Sequence, residues 1–475
     1  MIPVLTKEEA YKLDRKTIES GYLSQEKLMD NAGKAIAQFF CEKIDNSFNQ
    51  KVVIVCGKGN NGADGVIAHS YLKKYNIYSK IIFTEKKYTH IKLIKKYKIL
   101  KNDYSIYSDK TQLDEYDWII DGIFGIGLSR DVGEKYQKIF NSINKKKNIL
   151  SIDISSGLFT DNAYSKYFIN SKYVLTFGYP KLSHYLNPNN SLRILDIGFK
   201  EKVKMEIQLI CKVDVVNILK DFLLKSPVHK YSKGYTCISA GSNKYPGAAI
   251  LSSMAAFKSG SSYVNLHFQG SESIKECIKS QYPDIVLNQA YPIGDFCLFG
   301  PGYSSEEDDK EIWSCLDRYR SIVCDAGILR KADNINYFPF NSILTPHIGE
   351  YNKLFNVKNP LDLSCFIKIQ NIIKDRIVIL KSFNVFIITN DRIYIIDKGP
   401  SLLATAGTGD VLSGILVSLL SQGYSKLEAS ILGVYLHAEA ANYYMNNISK
   451  YGMTASNLID CIPFAFNKLR LDIAN

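Results

Sequence analysis

Short, continuous apolar runs recur along the first part of the chain, each followed by a glycine or polar turn and then a helical stretch. They lie at 52–56, 81–83, 118–120, 149–154, 173–177 and 194–197. Runs without polar alternation fit parallel strands covered on both faces, and the stretches between them, such as 34–40 and 66–75, fit crossover helices. The pattern predicts a three-layer α/β domain with a parallel sheet. After about residue 205 it restarts. Residues 213–224 read as a linking helix, followed by a polar stretch at 226–234. New strand-like runs follow at 236–240, 263–268, 296–299, 322–325, 343–345, 377–380, 385–388 and 393–396. The last part is helical, over 411–420, 428–445 and a terminal segment. Two α/β domains are therefore expected, over 1–210 and 211–475.

Length and composition change this picture little. A chain of 475 residues exceeds one compact core, and 46% apolar with 22% charged residues is ordinary for a globular protein. No apolar run approaches the roughly 18 residues that cross a bilayer, and the first residues carry neither a basic leader nor an apolar signal core. A cytoplasmic location and no membrane partner are expected. The net charge of +12 is spread among scattered lysines with no extended basic arm, so no nucleic-acid partner is expected. The ten cysteines include no C-x-x-C, and several sit in apolar runs (Cys56, Cys237, Cys324), where a thiol behaves as a small hydrophobe. The His437-Ala438-Glu439-Ala440-Ala441 segment is not an H-E-x-x-H metal helix.

Ligands of α/β sheets collect at the carboxyl ends of strands. After the 52–56 run comes Gly57-Lys58-Gly59-Asn60-Asn61-Gly62-Ala63-Asp64-Gly65, a G-x-G-x-x-G between strand and helix, which makes the domain Rossmann-like. Glu85 stands about where a ribose-binding acid would. Ala63-Asp64 replaces the Lys and Ser/Thr of a P-loop. Asn60, Asn61 and Asp64 are more polar than phosphate cradling requires, and their oxygens suit a hard cation or ribose hydroxyls. A capping turn is the plainer reading of the same residues. Three further strand ends point to one place. Asp121 opens a loop with Gly125-Ile126-Gly127-Leu128-Ser129-Arg130-Asp131, Asp153 precedes Ser155-Ser156-Gly157, and Lys181 follows Phe177-Gly178. Asn61, Asp121 and Ser156 would form an oxygen-ligand site, leaving Asp153 free as acid or base.

In the second half, Gly407-Thr408-Gly409-Asp410 opens an apolar helix with no bulky side chain. Backbone N–H groups at such a start bind anions, and Asp410 in the first turn suits a base that deprotonates a hydroxyl attacking phosphorus. His347 follows another strand, Gly300-Pro301-Gly302 is a strand-end turn, and Gly247-Ala248-Ala249 begins a small-residue helix.

Taken in order, these segments resemble one family. Leu28-Met29-Asp30-Asn31-Ala32-Gly33, the 60–64 segment, 121–130, 153–157 and 176–181 resemble the NAD(P)H-hydrate epimerase domain. His229-Lys230, 240–242, 245–249, 300–302, 325–327, 344–350, Lys381 and 407–414 resemble the NAD(P)H-hydrate dehydratase of the ribokinase-like superfamily. Fused in this order, they are similar to bifunctional NAD(P)H-hydrate repair enzymes. The resemblance implies a ribokinase-like C-terminal fold and interconversion of R and S epimers of hydrated NAD(P)H in the N-terminal domain. There Asn61, Asp121 and Ser156 would ligate potassium, while residues 60–64, 125–131 and Asp153 hold the hydrate. The C-terminal domain would dehydrate the S epimer with ADP or ATP and magnesium, releasing phosphate. Asp410 would be the base, Lys381, Ser382 and Gly409 would contact nucleotide, and Ala248, Gly302 and His347 would face the hydrate. An oligomer is also implied. A small-molecule kinase, a plain dehydrogenase and a non-catalytic scaffold are the alternatives.

Overall fold

The computed structural model describes residues 1–474 except 86–89, 188–190, 201–204, 224–233 and 305–310. The chain forms two compact units. One comprises Pro3–Met205 with Leu361–Leu363, and the other comprises Met1–Ile2, Glu206–Pro360 and Ser364–Asn475. His229-Lys230 of the dehydratase-like pattern lies outside the described residues.

Along the chain the strands are β1 (Ile2–Pro3), β2 (Val52–Cys56), β3 (Ser79–Phe83), β4 (Tyr104–Ile106), β5 (Trp118–Gly122), β6 (Ile149–Ile152), β7 (Tyr173–Phe177), β8 (Ser191–Leu195) and β9 (Ile207–Leu209). The second part adds β10 (Tyr235–Ala240), β11 (Tyr263–Phe268), β12 (Ile285–Asn288), β13 (Phe296–Phe299), β14 (Ser321–Cys324), β15 (Ser342–Leu344), β16 (Ile377–Lys381), β17 (Val385–Ile388) and β18 (Ile393–Ile396).

The first sheet has the order β4-β3-β2-β5-β6-β7-β8 and is parallel throughout. Period-two alternation explains its unbroken apolar runs. Val52, Ile54 and Cys56 join Ile36, Phe40, Val66 and Leu72 of the helices Gln25–Lys43 and Asn60–Lys74. Val53 and Val55 join Ile139, Phe140 and Ile143 of the helix Glu134–Ile143 on the opposite face. With both faces covered, no position of β2 is left for a polar side chain.

The second sheet has the order β1-β9-β18-β17-β16-β15-β14-β13-β10-β11-β12. From β16 to β12 it is parallel, and β16, β17 and β18 form antiparallel pairs. Its core takes in the helices Thr408–Ser421 and Lys426–Asn447, each apolar over most of its circumference because it is packed on several sides. Gly414 lets the first of them approach the helix Pro246–Lys258, since a Cβ there would fall 2.3 Å from the Ser252 carbonyl oxygen.

Two expectations change. The linking helix is Lys212–Leu223 and is no linker, because Val215, Val216 and Leu219 are buried in the core of the second unit. The helix expected from residue 66 starts at Asn60, so the Asn-Asn-Gly segment is a helical turn rather than a loop. All ten cysteines are free. Among the described residues no helix is long and apolar enough to cross a membrane.

Candidate active sites

In the first unit the chain winds outward from β2 through β3 to β4, then returns to β5 and winds the other way. The crevice between the carboxyl ends of β2 and β5 is a topological switch point, the usual ligand position in such sheets. Its floor is close-packed backbone. A Cβ on Gly57 would fall 2.0 Å from the Ile123 carbonyl oxygen, and one on Gly62 2.0 Å from the Gly57 carbonyl oxygen. Helix Asn60–Lys74 starts at Gly59 with no side-chain cap on its first turn.

Asn61, Asp121 and Ser156 do come together. Asp121, within β5 and fully buried, accepts from Ser156 Oγ at 2.6 Å, Ser151 Oγ at 2.7 Å and Ser156 N at 2.9 Å. Burial raises its carboxyl, and these donors oppose the rise. Asn61 Nδ2 donates to the carbonyls of Ile152 (2.7 Å) and Phe124 (2.9 Å), and Ser156 Oγ lies 3.1 Å from the same Phe124 oxygen. This is an oxygen-rich pocket with one carboxylate. If the Asn61 amide is turned over, its Oδ1 joins the carbonyl, hydroxyl and carboxylate oxygens, a donor set that fits a hard monovalent cation. Among the described residues no group of three His, Cys, Asp or Glu side chains is placed to hold a metal ion.

Above this lies a cavity of about 1000 Å³. That is the upper end of the range for small-molecule pockets and suits a ligand of dinucleotide size. Asn60, Asn61, Asp64, the whole segment 125–131 and Asp153 line it. Gly62 and Ala63 are not among its lining residues. Gly62 serves the tight turn, and Ala63 is buried in the helix.

Asp153 is not free. Its Oδ1 accepts from Lys181 Nζ at 2.6 Å and Thr176 Oγ1 at 2.9 Å, and its carbonyl pairs with His184 Nε2 at 2.8 Å. Burial alone would raise this carboxyl, but the Lys181 charge and hydrogen bond outweigh it and hold Asp153 ionised below its usual range. The residue also adopts a left-handed φ of 62°, a strain that the surrounding bonds must hold. Asp64 is the opposite case. Buried, with Oδ1 lacking any partner among the described residues, it is pushed well above the usual range by burial and then by Asp153 and Asp14. Asp14 and Tyr11, on the helix Lys7–Glu19, line the same cavity and were not anticipated from the sequence. The one signal was an acid four residues after Ala10, beside the helix's buried stripe of Ala10, Leu13 and Thr17. Glu85 lines the cavity too, accepting from Tyr136 Oη at 2.6 Å.

In the second unit, parallel strands β10, β13, β14, β15 and β16 present their carboxyl ends along one edge. After β14, buried Asp325 accepts from Lys381 Nζ at 2.8 Å, at the end of β16, and from Ser413 Oγ at 2.6 Å. Burial opposes ionisation of Asp325, but Lys381 and Ser413 prevail and keep it charged. Asp410, in the first turn of Thr408–Ser421, is raised to about 7 by burial and by Asp325, with Lys381 and Arg330 pulling the other way. Gly409 keeps this corner open, because a Cβ there would sit 3.4 Å from Lys381 Nζ and 3.8 Å from Asp325 Oδ2. Gly407 starts the helix at φ 88° with no side-chain cap, which leaves its N–H groups for an anion. These features fit a polyphosphate and its divalent cation.

Gly302 and Ala248 are neighbours. Gly302 has φ 72°, and a Cβ would fall 2.8 Å from the Ala248 methyl. His347 stands beside Lys381, whose N–H donates to the Pro346 carbonyl at 2.9 Å. Its ring caps the helix Ile348–Phe355, accepting from Gly349 N at 3.0 Å in a reciprocal box with Glu350. Ser382 Oγ donates to the Asn384 carbonyl, shaping the turn after β16. Asp325 and Ser413 lie in segments that carry the resemblance but were given no role from the sequence, because their meeting depends on how the helix Thr408–Ser421 packs beside the end of β14.

Comparison with known proteins gives the same division. A family described as "YjeF-related protein N-terminus" matches residues 25–183, and one described as "NAD(P)H-hydrate dehydratase" matches 236–464. The bifunctional NAD(P)H-hydrate repair enzyme of Dictyoglomus turgidum is 30% identical over 523 residues, covering 98% of each chain. The enzyme of the same name from Helicobacter pylori is 27% identical over 485 residues, covering 96% of this chain and 98% of that one. A solved structure, the ADP/ATP-dependent NAD(P)H-hydrate dehydratase of Bacillus subtilis co-crystallised with ATP/Mg2+, is 23% identical with a TM-score of 0.47, covering 56% of this chain and all of that one. With its two matched halves in this order and relatives aligned end to end, the chain belongs to the bifunctional NAD(P)H-hydrate repair enzymes.

Proposed function

We propose that this chain restores hydrated nicotinamide cofactors at two sites. The first unit interconverts the R and S epimers of NAD(P)H hydrate. The second dehydrates the S epimer to NAD(P)H with ADP or ATP, releasing phosphate. What supports this most is the pairing, in one chain aligned end to end with enzymes of that name, of a dinucleotide-sized cavity holding Asp153 with a helix start holding Asp410.

In the first site, Asn60, Asn61, Asp64 and residues 125–131 hold the hydrate, and ionised Asp153 serves as base. Potassium, where bound, adds positive charge beneath the site through Asn61, Asp121 and Ser156. In the second, Ala248, Gly302 and His347 face the hydrate, while Lys381, Ser382 and the Gly409 backbone receive the nucleotide. Asp325 fixes the Lys381 ammonium through their ion pair. Asp410 takes the proton from the hydroxyl as its oxygen attacks the terminal phosphorus and the bond to the nucleotide breaks. The C–O bond then breaks with phosphate leaving, and a proton lost from the neighbouring carbon forms the ring double bond. Magnesium supplies neutralising charge to the phosphates.

The experiment is incubation with an R/S mixture of NADH hydrate, ADP or ATP and magnesium, following the reduced-nicotinamide absorbance. Wild type is expected to convert the whole mixture. Asp153→Asn should stop with R remaining, and Asp410→Asn should lose about 10²-fold or more of the recovery rate. A stable phosphorylated product without NADH would make the second unit a kinase instead.

A further inference from the structure

In the epimerase reading the first site is assigned a base, Asp153, and no group for the acid's part. Moving a hydroxyl from one face of a ring carbon to the other needs both. The carbon in question also bears the ring nitrogen. Epimerisation can therefore open the ring: the hydroxyl proton leaves to a base, the O–H electrons become the C=O bond, and the C–N bond breaks. Its electron pair goes to nitrogen, which must take a proton. Rotation of the aldehyde and the reverse transfers close the ring on the other face, returning both protons to their origins.

We propose that Asp14 is a catalytic residue of this site, the acid that gives the ring nitrogen its proton while Asp153 takes the hydroxyl proton. This rests on the epimerase reading of the first unit. The helix Lys7–Glu19 turns Asp14 into the cavity together with Asp64, Asp153 and Lys181. Its carboxyl accepts no hydrogen bond among the described residues, so it is not spent on holding the fold. The neighbouring Asp64 Oδ1, buried and unpartnered in the same cavity wall, is an independent sign that this wall awaits a donor or acceptor from a ligand. Groups that face Asp14 are Tyr11 and Arg15 from its own helix, Asp64 from Asn60–Lys74, Asp153 after β6 and Lys181 after β7. Burial, together with the Asp153 charge and against Lys181, raises Asp14 to about 6, while Lys181 keeps Asp153 ionised. Two carboxyls pushed apart in one cavity are an acid and a base.

The test uses the full-length protein with R/S NADH hydrate, ADP and magnesium, where the fast phase reports S and the slow phase R. Asp14→Asn should lose about 10²-fold or more of the R phase and leave the S phase unchanged. In wild type, kcat/KM for R should fall as pH rises above about 6, as Asp14 gives up its proton. Asp14→Glu should keep turnover with this limb displaced. An Asp14→Asn protein that consumes R within a few-fold of wild type, or keeps the same alkaline limb, overturns the proposal. If Asp14→Asn fails to fold by thermal melting, the Asp14→Glu limb decides, and an undisplaced limb counts against Asp14. Wild type that never consumes R would instead remove the epimerase reading, whereas R consumption blocked by Asp153→Asn but not by Asp14→Asn would remove only Asp14.

Discussion

Asp410 and Asp325 show how two carboxyls in one corner are given different tasks. Asp325 is fully buried yet ionised, because the Lys381 ammonium and the Ser413 hydroxyl meet both of its oxygens. Asp410 has no such partner and is held near neutrality at about 7. A base works only when ionised, so kcat/KM for S-hydrate dehydration should rise with pH through about 7. Arg330, one of the cations that lower Asp410, pairs with Glu350 at 3.0 Å and is half exposed. Arg330→Gln should therefore move the rising limb to higher pH, without a large loss at the plateau. A profile flat from pH 6 to 8 in wild type would take the base role away from Asp410.

At the level of elements, the start of helix Asn60–Lys74 is the most demanding piece of the first site. Gly62 is confined by the Gly57 carbonyl, so Gly62→Ala must push the helix away from the turn. A loss of about 1–3 kcal/mol of stability, the usual cost of overpacking, is expected in denaturant melts. A larger loss of R turnover than of S turnover should accompany it. The same element shows where reading a sequence stops. Strands β2 and β13 were legible because burial leaves an unbroken apolar run. Edge strand β4, Tyr-Ser-Ile, exposes part of its surface, carries no such run and went unread, and edge strand β12 went unread although Ile285-Val286-Leu287 is apolar. Asn60-Asn61-Gly62 reads as a turn because local propensity favours one. It is helical because the Asn61 amide is tied to carbonyls 63 and 91 positions away, at Phe124 and Ile152. Asp64, Asp153 and Asp410 were visible as strand-end or helix-start residues, and Lys381 only through the family resemblance. Their charge states were not, since Lys181 and Asp325 become their neighbours only after the strands are ordered.

For the molecule as a whole, each candidate site gathers at the carboxyl ends of parallel strands, but the first does so from two oppositely wound runs of the chain. Asp14, Asn61 and Asp64 come before the crossing from β4 to β5, and Asp121, Asp153, Ser156 and Lys181 come after it. The connection includes Ser108-Asp109-Lys110, all exposed. A chain cut there yields two pieces, each holding an incomplete set of proton-handling groups. Neither piece alone should consume the R hydrate. Mixed together, they should regain activity by pairing β2 with β5, so that enzyme turnover would report directly on the docking of one half of a sheet with the other.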